Sequence, residues 1–238
     1  MTGFSSDRGV LISFEGIDAS GKNTQAKLLC DSLKQNDLAF EFMSFPVYST
    51  PIGNEIRNYL QTKSEYTPET VHTLYSANRY EFKSIIEQWI SERRIVVLNR
   101  YCESNIAYGV ADGLPRAWLE QLESRMPQSD YVFYLRISPE LSLQRKVSRD
   151  RFEEDLRFLA RVTQVYDTLA MDPRWITVDA ERDVEIVGYE IVKTLTALLA
   201  EKAKTSPENK IISNYSKPQL NESNPGKKSV TGGIRFVE

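Results

Sequence analysis

Gly16, Gly21 and Lys22 are the residues of this chain whose types and spacing speak most directly of chemistry. They stand in Phe14-Glu15-Gly16-Ile17-Asp18-Ala19-Ser20-Gly21-Lys22-Asn23-Thr24, behind the apolar run Val10-Leu11-Ile12-Ser13-Phe14 and ahead of a helical pattern on Ala26, Leu28, Leu29 and Leu33. Strand, glycine-bounded loop, lysine and helix form a cradle for an anion. The glycines let the backbone wrap it, and the loop amides and helix N-terminus point donors at it. Lys22 adds a mobile charge that can reach a β- or γ-phosphate. Asn23 occupies the place where a Ser or Thr hydroxyl ordinarily binds Mg²⁺, so the loop suits phosphate and is unusual for metal. A plain strand–turn–helix would use the glycines for turning only, and the full context argues against that.

Arg100 follows the apolar run Ile95-Val96-Val97-Leu98. A guanidinium there can bind two phosphate oxygens with fixed geometry, or pair with a carboxylate. Tyr75, Arg79 and Phe82 recur at i, i+4, i+7, on one helical face. The tyrosine could stack on a base and the arginine donate to its carbonyls. By itself the same face reads more readily as an aromatic core stripe edged by a snorkelling arginine. His72, the single histidine, has no nucleophile motif or metal partner nearby and reads as structural or peripheral. The segment 145–155 carries Arg149 and Arg151. It suits a lid closing on a transferring phosphoryl group, or a continuous helix with Arg149–Glu153 and Arg151–Asp155 pairs.

These residues need a scaffold that gathers strand ends. Short apolar strands are expected at 10–14, 40–45, 95–98, 131–137 and 175–178, alternating with helices at about 22–36, 51–61, 68–92, 115–125, 139–148, 154–170 and 184–203. Proline in the first helical turn follows a hydroxyl cap at Thr50-Pro51, Thr67-Pro68 and Ser138-Pro139. The alternation implies an α/β fold, a parallel five-stranded sheet flanked by helices with ligands at the strands' carboxyl ends. Pro46-Val47-Tyr48, Asn99-Arg100-Tyr101 and Asp179-Ala180 fall there.

At 238 residues the chain fits one such domain, 1–204, with a C-terminal tail at 205–238 that lacks periodicity. Residues 201–238 hold seven Lys/Arg against four Asp/Glu, which makes them +3 and leaves −6 for the rest of the net −3. That balance gives no sign of a nucleic-acid partner. Two cysteines, Cys30 and Cys102, exclude a disulfide framework and suit a reducing cytoplasm. No apolar run approaches the ~18 residues that would span a membrane, and the N-terminus lacks a signal-peptide apolar region.

Over residues 9–200 the chain resembles the thymidylate kinases, of the nucleoside monophosphate kinase class. The resemblance is carried by 14–22, by Phe45-Pro46, by Leu74-Tyr75-Ser76-Ala77-Asn78-Arg79, by Arg100-Tyr101-Cys102-Glu103-Ser104-Asn105-Ile106-Ala107-Tyr108 and by Arg151-Phe152-Glu153. It implies a P-loop fold, an ATP:dTMP phosphotransferase feeding dTTP synthesis, Mg²⁺ with ATP, and a homodimer packed through helices. It implies ATP contacts from Gly16 through Thr24 and near Ala180. Asp18 resembles the carboxylate at the acceptor's 3′-hydroxyl, Tyr75 the aromatic under thymine, Arg79 the donor to O4, and Arg100 the arginine on the acceptor phosphate. Asn105 stands where some relatives read the base edge and Tyr108 where bulk crowds the 2′ carbon; Pro46 and Ser104 belong to the same substrate side.

The chain departs from the family pattern in four places. Ala19 lacks the loop arginine of one subtype, a charge the other subtype supplies from its lid, as Arg149 and Arg151 would. Tyr48 stands where many relatives have an arginine for the acceptor phosphate, though a tyrosine there is also seen. Asn99 replaces the aspartate that supports Mg²⁺ through water, leaving Glu15 and Asn99 as the supports of that kind. Asn23 removes the hydroxyl, and Thr24 is turned away by ~100° of helix. The competing readings are a kinase for another pyrimidine monophosphate and a nucleotide-binding protein with weak or no catalysis.

Overall fold

A computed structural model describes residues 8–145 and 156–204. Its elements in chain order are β1 (Val10–Glu15), α1 (Lys22–Gln35), β2 (Phe40–Ser44), α2 (Pro51–Leu60), α3 (Pro68–Tyr80), α4 (Lys83–Ser91), β3 (Ile95–Asn99), α5 (Cys102–Ala111), α6 (Arg116–Glu123), β4 (Tyr131–Arg136), α7 (Pro139–Arg145), α8 (Leu156–Leu169), β5 (Trp175–Asp179) and α9 (Val184–Lys204). The five strands form one parallel sheet in the order β2-β3-β1-β4-β5. All five expected strands are present, with ends shifted by a residue.

The central strands are buried on both faces, which is why they read as near-continuous apolar runs. Alternate residues serve different layers. Ile12, Phe14 and Val97 join the core beneath α1, α8 and α9, whereas Leu11, Val96 and Leu98 join a second core with Ile86 and Ile90 of α4. Register brings Phe14 and Ser44 level with Asn99, so the ends of β1, β2 and β3 open onto one edge. The chain crosses from β3 past β1 to β4, so that edge lies at a topological switch point, the usual seat of a ligand.

Two expectations about helices are corrected. The stretch 68–92 is not one helix: it breaks at Glu81–Phe82 between α3 and α4, where Phe82 turns its ring onto Phe45, 5.9 Å between centroids. Helix α5, absent from the sequence reading, occupies 102–111. The caps at Thr50 and Thr67 are as expected, accepting from Gly53 N–H (2.9 Å) and Thr70 N–H (3.4 Å). No described helix is long and apolar enough to cross a membrane.

Candidate functional site

The loop after β1 is shaped by its glycines. Gly16 sits at φ +139°, and a Cβ there would lie 2.5 Å from the Leu135 carbonyl oxygen, so only glycine fits. Gly21, at φ +89°, turns the chain into α1. Lys22 is only 6% exposed. Its Nζ donates to the carbonyls of Gly16 (3.0 Å) and Ile17 (2.8 Å) and to Ser20 Oγ (3.4 Å), folding the ammonium back onto its own loop. Burial pulls its pKa down to about 8, against the raising effect of Glu15. Ser142 of α7 braces the loop from outside, donating to the Asp18 carbonyl at 2.8 Å.

A cavity of about 600 Å³ opens beside this loop, a size suited to a small-molecule ligand. Asp18, Asn23 and Lys27 line it from the loop and α1, and Phe42, Ser44, Pro46 and Tyr48 from β2 and the segment after it. Arg57 and Leu60 come from α2, His72, Tyr75 and Arg79 from α3, and Asn99, Arg100, Ser104, Asn105 and Tyr108 from β3 and α5. The structure thus brings Asp18, Asn23, Pro46, Tyr48, Tyr75, Arg79, Asn99, Arg100, Ser104, Asn105 and Tyr108 to one wall system. Gly16, Ile17, Ala19, Ser20 and Lys22 build the loop at its side. Thr24 is exposed on α1 and does not line the cavity. Ala180 lies beyond β5, its carbonyl accepting from Arg145 Nη1 at 3.1 Å, also away from the cavity. Arg149 and Arg151 lie outside the described residues, as does the segment 205–238.

Two arginines of this wall are matched by carboxylates. Arg100 sits at φ +60° directly after β3 and forms an ion pair with Asp18; its guanidinium lies 5.3 Å from the Tyr108 ring centre. Arg79, 3% exposed, is clamped by Glu123, 6% exposed, through Nε to Oε2 at 3.1 Å and a second bond from Nη2 to Oε1. Asn105 Nδ2 donates to the same carboxylate (2.7 Å) and to the His72 carbonyl (3.1 Å). That fixes the Asn105 amide with its oxygen toward His72 Nδ1, 2.7 Å away. Nδ1 is therefore the protonated nitrogen, leaving Nε2 an acceptor with no protein partner. Burial pushes the His72 pKa down to about 4, so the ring is neutral near pH 7. His72 is thus no peripheral residue but part of the cavity wall.

Glu15 is less available than the sequence suggested. Its oxygens accept from Tyr101 N–H (2.7 Å), Ser104 Oγ (2.5 Å) and Tyr166 OH (3.1 Å). Burial raises its pKa against the lowering effects of Ser104, Arg100 and the Tyr101 amide. It anchors α5 to β1, both oxygens already accepting protein hydrogen bonds. Asn99 is different. Its Nδ2 donates to Ser44 Oγ at 3.0 Å, while Oδ1 is buried without a protein partner at the cavity. Among the described residues no cluster of three His, Cys, Asp or Glu could hold a metal.

Glu123, Arg57 and Asn78 were missed from sequence. Glu123 carried a signal: it stands four residues after Leu119, on the buried face of α6, where a carboxylate needs a cationic partner. Asn78 pins the segment before α2, accepting from Val47 N–H (2.8 Å) and donating to the Val47 carbonyl (3.2 Å). Arg57 carried none.

The comparisons with known proteins agree with one another. A family model described as thymidylate kinase matches residues 14–191. The thymidylate kinase of Plasmodium falciparum (isolate 3D7) is 34% identical over 202 residues, which cover 84% of this chain and 94% of that protein. That of Danio rerio is 34% identical over 204 residues, 84% of this chain and 95% of the relative. The solved structure of thymidylate kinase from Candida albicans superposes with a TM-score of 0.70 at 28% identity, covering 81% of this chain and 93% of that one.

Proposed function

The chain belongs to the thymidylate kinase family, and on that footing we propose that it transfers the γ-phosphoryl group of ATP to the phosphate of dTMP, giving ADP and dTDP. The observation that carries the reading is the single cavity running from the Lys22 loop past the Asp18–Arg100 pair to the buried His72–Asn105–Glu123–Arg79 network. Phosphoryl transfer needs alignment and charge neutralisation more than covalent help from the protein.

The parts divide accordingly. The amides of residues 16–22 and the Lys22 ammonium hold the donor phosphates, Lys22 exchanging its loop carbonyls for phosphate oxygens. Arg100 holds the acceptor phosphate. Tyr75 lies under the base, and Arg79, oriented by Glu123, donates to its carbonyl; a clamped guanidinium loses little freedom when it binds. Tyr108 crowds the sugar's 2′ side, and Asp18 receives its 3′-hydroxyl. Arg149 and Arg151 complete the neutralisation from the segment 146–155.

Mg²⁺ belongs to the proposal through ATP. The buried Asn99 Oδ1 can accept a bond from a water on the ion, while Glu15 is mostly committed to Tyr101, Ser104 and Tyr166, so the residues fit an ion held mainly by phosphate and water. When bound, the ion neutralises donor oxygens. The protein is proposed to act as a homodimer, which sedimentation measures directly. A coupled assay of ADP release tests the activity over dTMP, dUMP, UMP and CMP, with and without Mg²⁺. The expected result is release that depends on dTMP and on Mg²⁺. Release indifferent to the acceptor, or none, would favour a nucleotide-binding protein.

A further inference from the structure

Among the described residues three arginines line the cavity, and two are already matched by carboxylates: Arg79 by Glu123 and Arg100 by Asp18. Arg57 is not. Its guanidinium lies over the ring of Tyr48, 5.0 Å from the centroid, and among the described residues no carboxylate pairs with it. The neighbouring acid on α2, Glu55, is occupied elsewhere, accepting from Asn58 (3.3 Å), Ser64 (2.9 Å) and Tyr66 (2.5 Å). Arg57 therefore leaves a whole positive charge uncompensated on the cavity wall.

That charge is mounted on braced elements. Tyr48 follows Val47, whose backbone is held at both its N–H and its carbonyl by the side chain of buried Asn78. Helix α2 starts at the Thr50 cap and packs so closely that a Cβ on Gly53 would lie 1.8 Å from the Val47 oxygen. The tyrosine shelf and the arginine upon it are thus fixed relative to each other. A guanidinium over an aromatic ring is held by its face, while its N–H edges can still donate in the guanidinium's own plane. Two parallel bonds from such a fork match two oxygens of a phosphate.

Resting on the dTMP kinase reading above, we propose that Arg57, displayed on the ring of Tyr48, is a binding residue for the acceptor's 5′-phosphate, sharing it with Arg100. Tyr48 is then a positioning residue that acts through Arg57. An exposed arginine at the cavity's edge gives a smaller effect than a buried one, because water and salt screen it.

The test compares dTMP with thymidine, which lacks only the phosphate, by titration calorimetry and by inhibition. Arg57→Ala should weaken dTMP by ~10-fold, the low end for a charge-assisted pair, with thymidine and ATP within about twofold and an unchanged melting temperature. Arg57→Lys, which keeps the charge and loses the fork, should fall between Arg57→Ala and the wild type. Tyr48→Leu should move dTMP the same way by less, and the Arg57→Ala defect should shrink in its background. Equal losses for dTMP and thymidine would make Arg57 structural, and so overturn the assignment. An undiminished preference for dTMP in Arg57→Ala, with Lys27→Ala removing it instead, would also overturn it, since Lys27 is the other basic side chain on that wall. A wild-type protein that releases no ADP with dTMP would overturn the substrate reading itself, and the assignment with it.

Discussion

The Arg79–Glu123 pair allows base recognition to be separated from structural support. Both side chains are about 4% exposed, so solvent screening offers little discount. Arg79→Ala would strand the Glu123 carboxylate without its cation, leaving it the Asn105 amide and the weak Cys102 thiol as neutral donors. Removing one partner of a buried pair costs ~3–5 kcal/mol, and at 2–4 °C per kcal/mol for a domain of this size the melting temperature should fall by about 6–20 °C. That variant alone cannot tell a base reader from a strut. The double variant Arg79→Met/Glu123→Gln can. It removes both charges, fills similar volume, and leaves a Gln oxygen for Asn105. Most of the lost stability should return, to within about 1–2 kcal/mol of wild type. The kcat/KM for dTMP should remain about ten- to a hundred-fold down, because the charge-assisted bond to the base, ~1.5–3 kcal/mol, is still missing. Thermal melts and initial rates on the same samples decide the matter. Recovery of both stability and dTMP kinetics would refute the base-reading role. A double variant as unstable as Arg79→Ala would refute the stranded-charge argument.

Lys22→Ala should lower kcat by at least ~10²-fold; activity within a few-fold of wild type would sink the phosphate-loop assignment. Because burial holds the folded Lys22 pKa at about 8 against an ordinary 10.5, the unfolded chain binds more protons between those values, and nucleotide-free stability should rise as pH climbs through that window. A bound triphosphate favours the ammonium, so ATP binding near pH 9 (about midway between the two) should take up a proton. Calorimetry in two buffers reads this, and an equal uptake in Lys22→Met would exclude Lys22 as its source. Asn99→Asp puts a carboxylate beside the cavity and should tighten the apparent Mg²⁺ requirement in the coupled assay, with an unchanged requirement contradicting the role given to Asn99 Oδ1. Gly53→Ala forces a methyl onto the Val47 carbonyl. It should cost about 1–3 kcal/mol or more and raise the KM for dTMP by shifting Tyr48, and wild-type melting and KM together would contradict both.

The parts of this protein that sequence made legible are those whose determinants are contiguous. Strands buried on both faces must be apolar throughout, so Ile95–Leu98 and Tyr131–Leu135 announced themselves. The phosphate loop is one unbroken run of residues. Helix α5 was hidden because the residues it needs are poor helix formers. Ser104 is required to reach Glu15, Asn105 to bridge His72 and Glu123, and Gly109 to clear Leu119, whose methyls would lie 2.7 Å from a Cβ. The break between α3 and α4 has no Gly or Pro to mark it. It arises from long-range packing of Phe82 on Phe45 and from Glu81 bonding Thr50 and Asn78 at 2.8 Å each. For the same reason Tyr75 and Arg79 were found while Glu123, 44 positions from Arg79, was not. A side chain can be read from its own helix; its counter-charge lies on another.

Three of the four places where the chain departs from its family's pattern gather in one spot. Asn23, Tyr48 and Asn99 all line the same cavity, together with the unmatched Arg57. Asn99 removes an anion beside the donor phosphates, and Asn23 removes a hydroxyl. Tyr48 presents a ring where the pattern places an arginine, and α2 sets an arginine on that ring. At the opposite end the His72–Asn105–Glu123–Arg79 network is bonded internally, with His72 Nε2 and the Arg79 Nη1 edge left to face a ligand. An internally bonded, buried network resists change, because altering one member strands the others. Groups that meet phosphate at an open rim can be exchanged one for another, provided the total charge facing the anion is kept. This chain should therefore differ from its relatives in metal dependence and in the residues that grip phosphate, while its choice of base stays theirs.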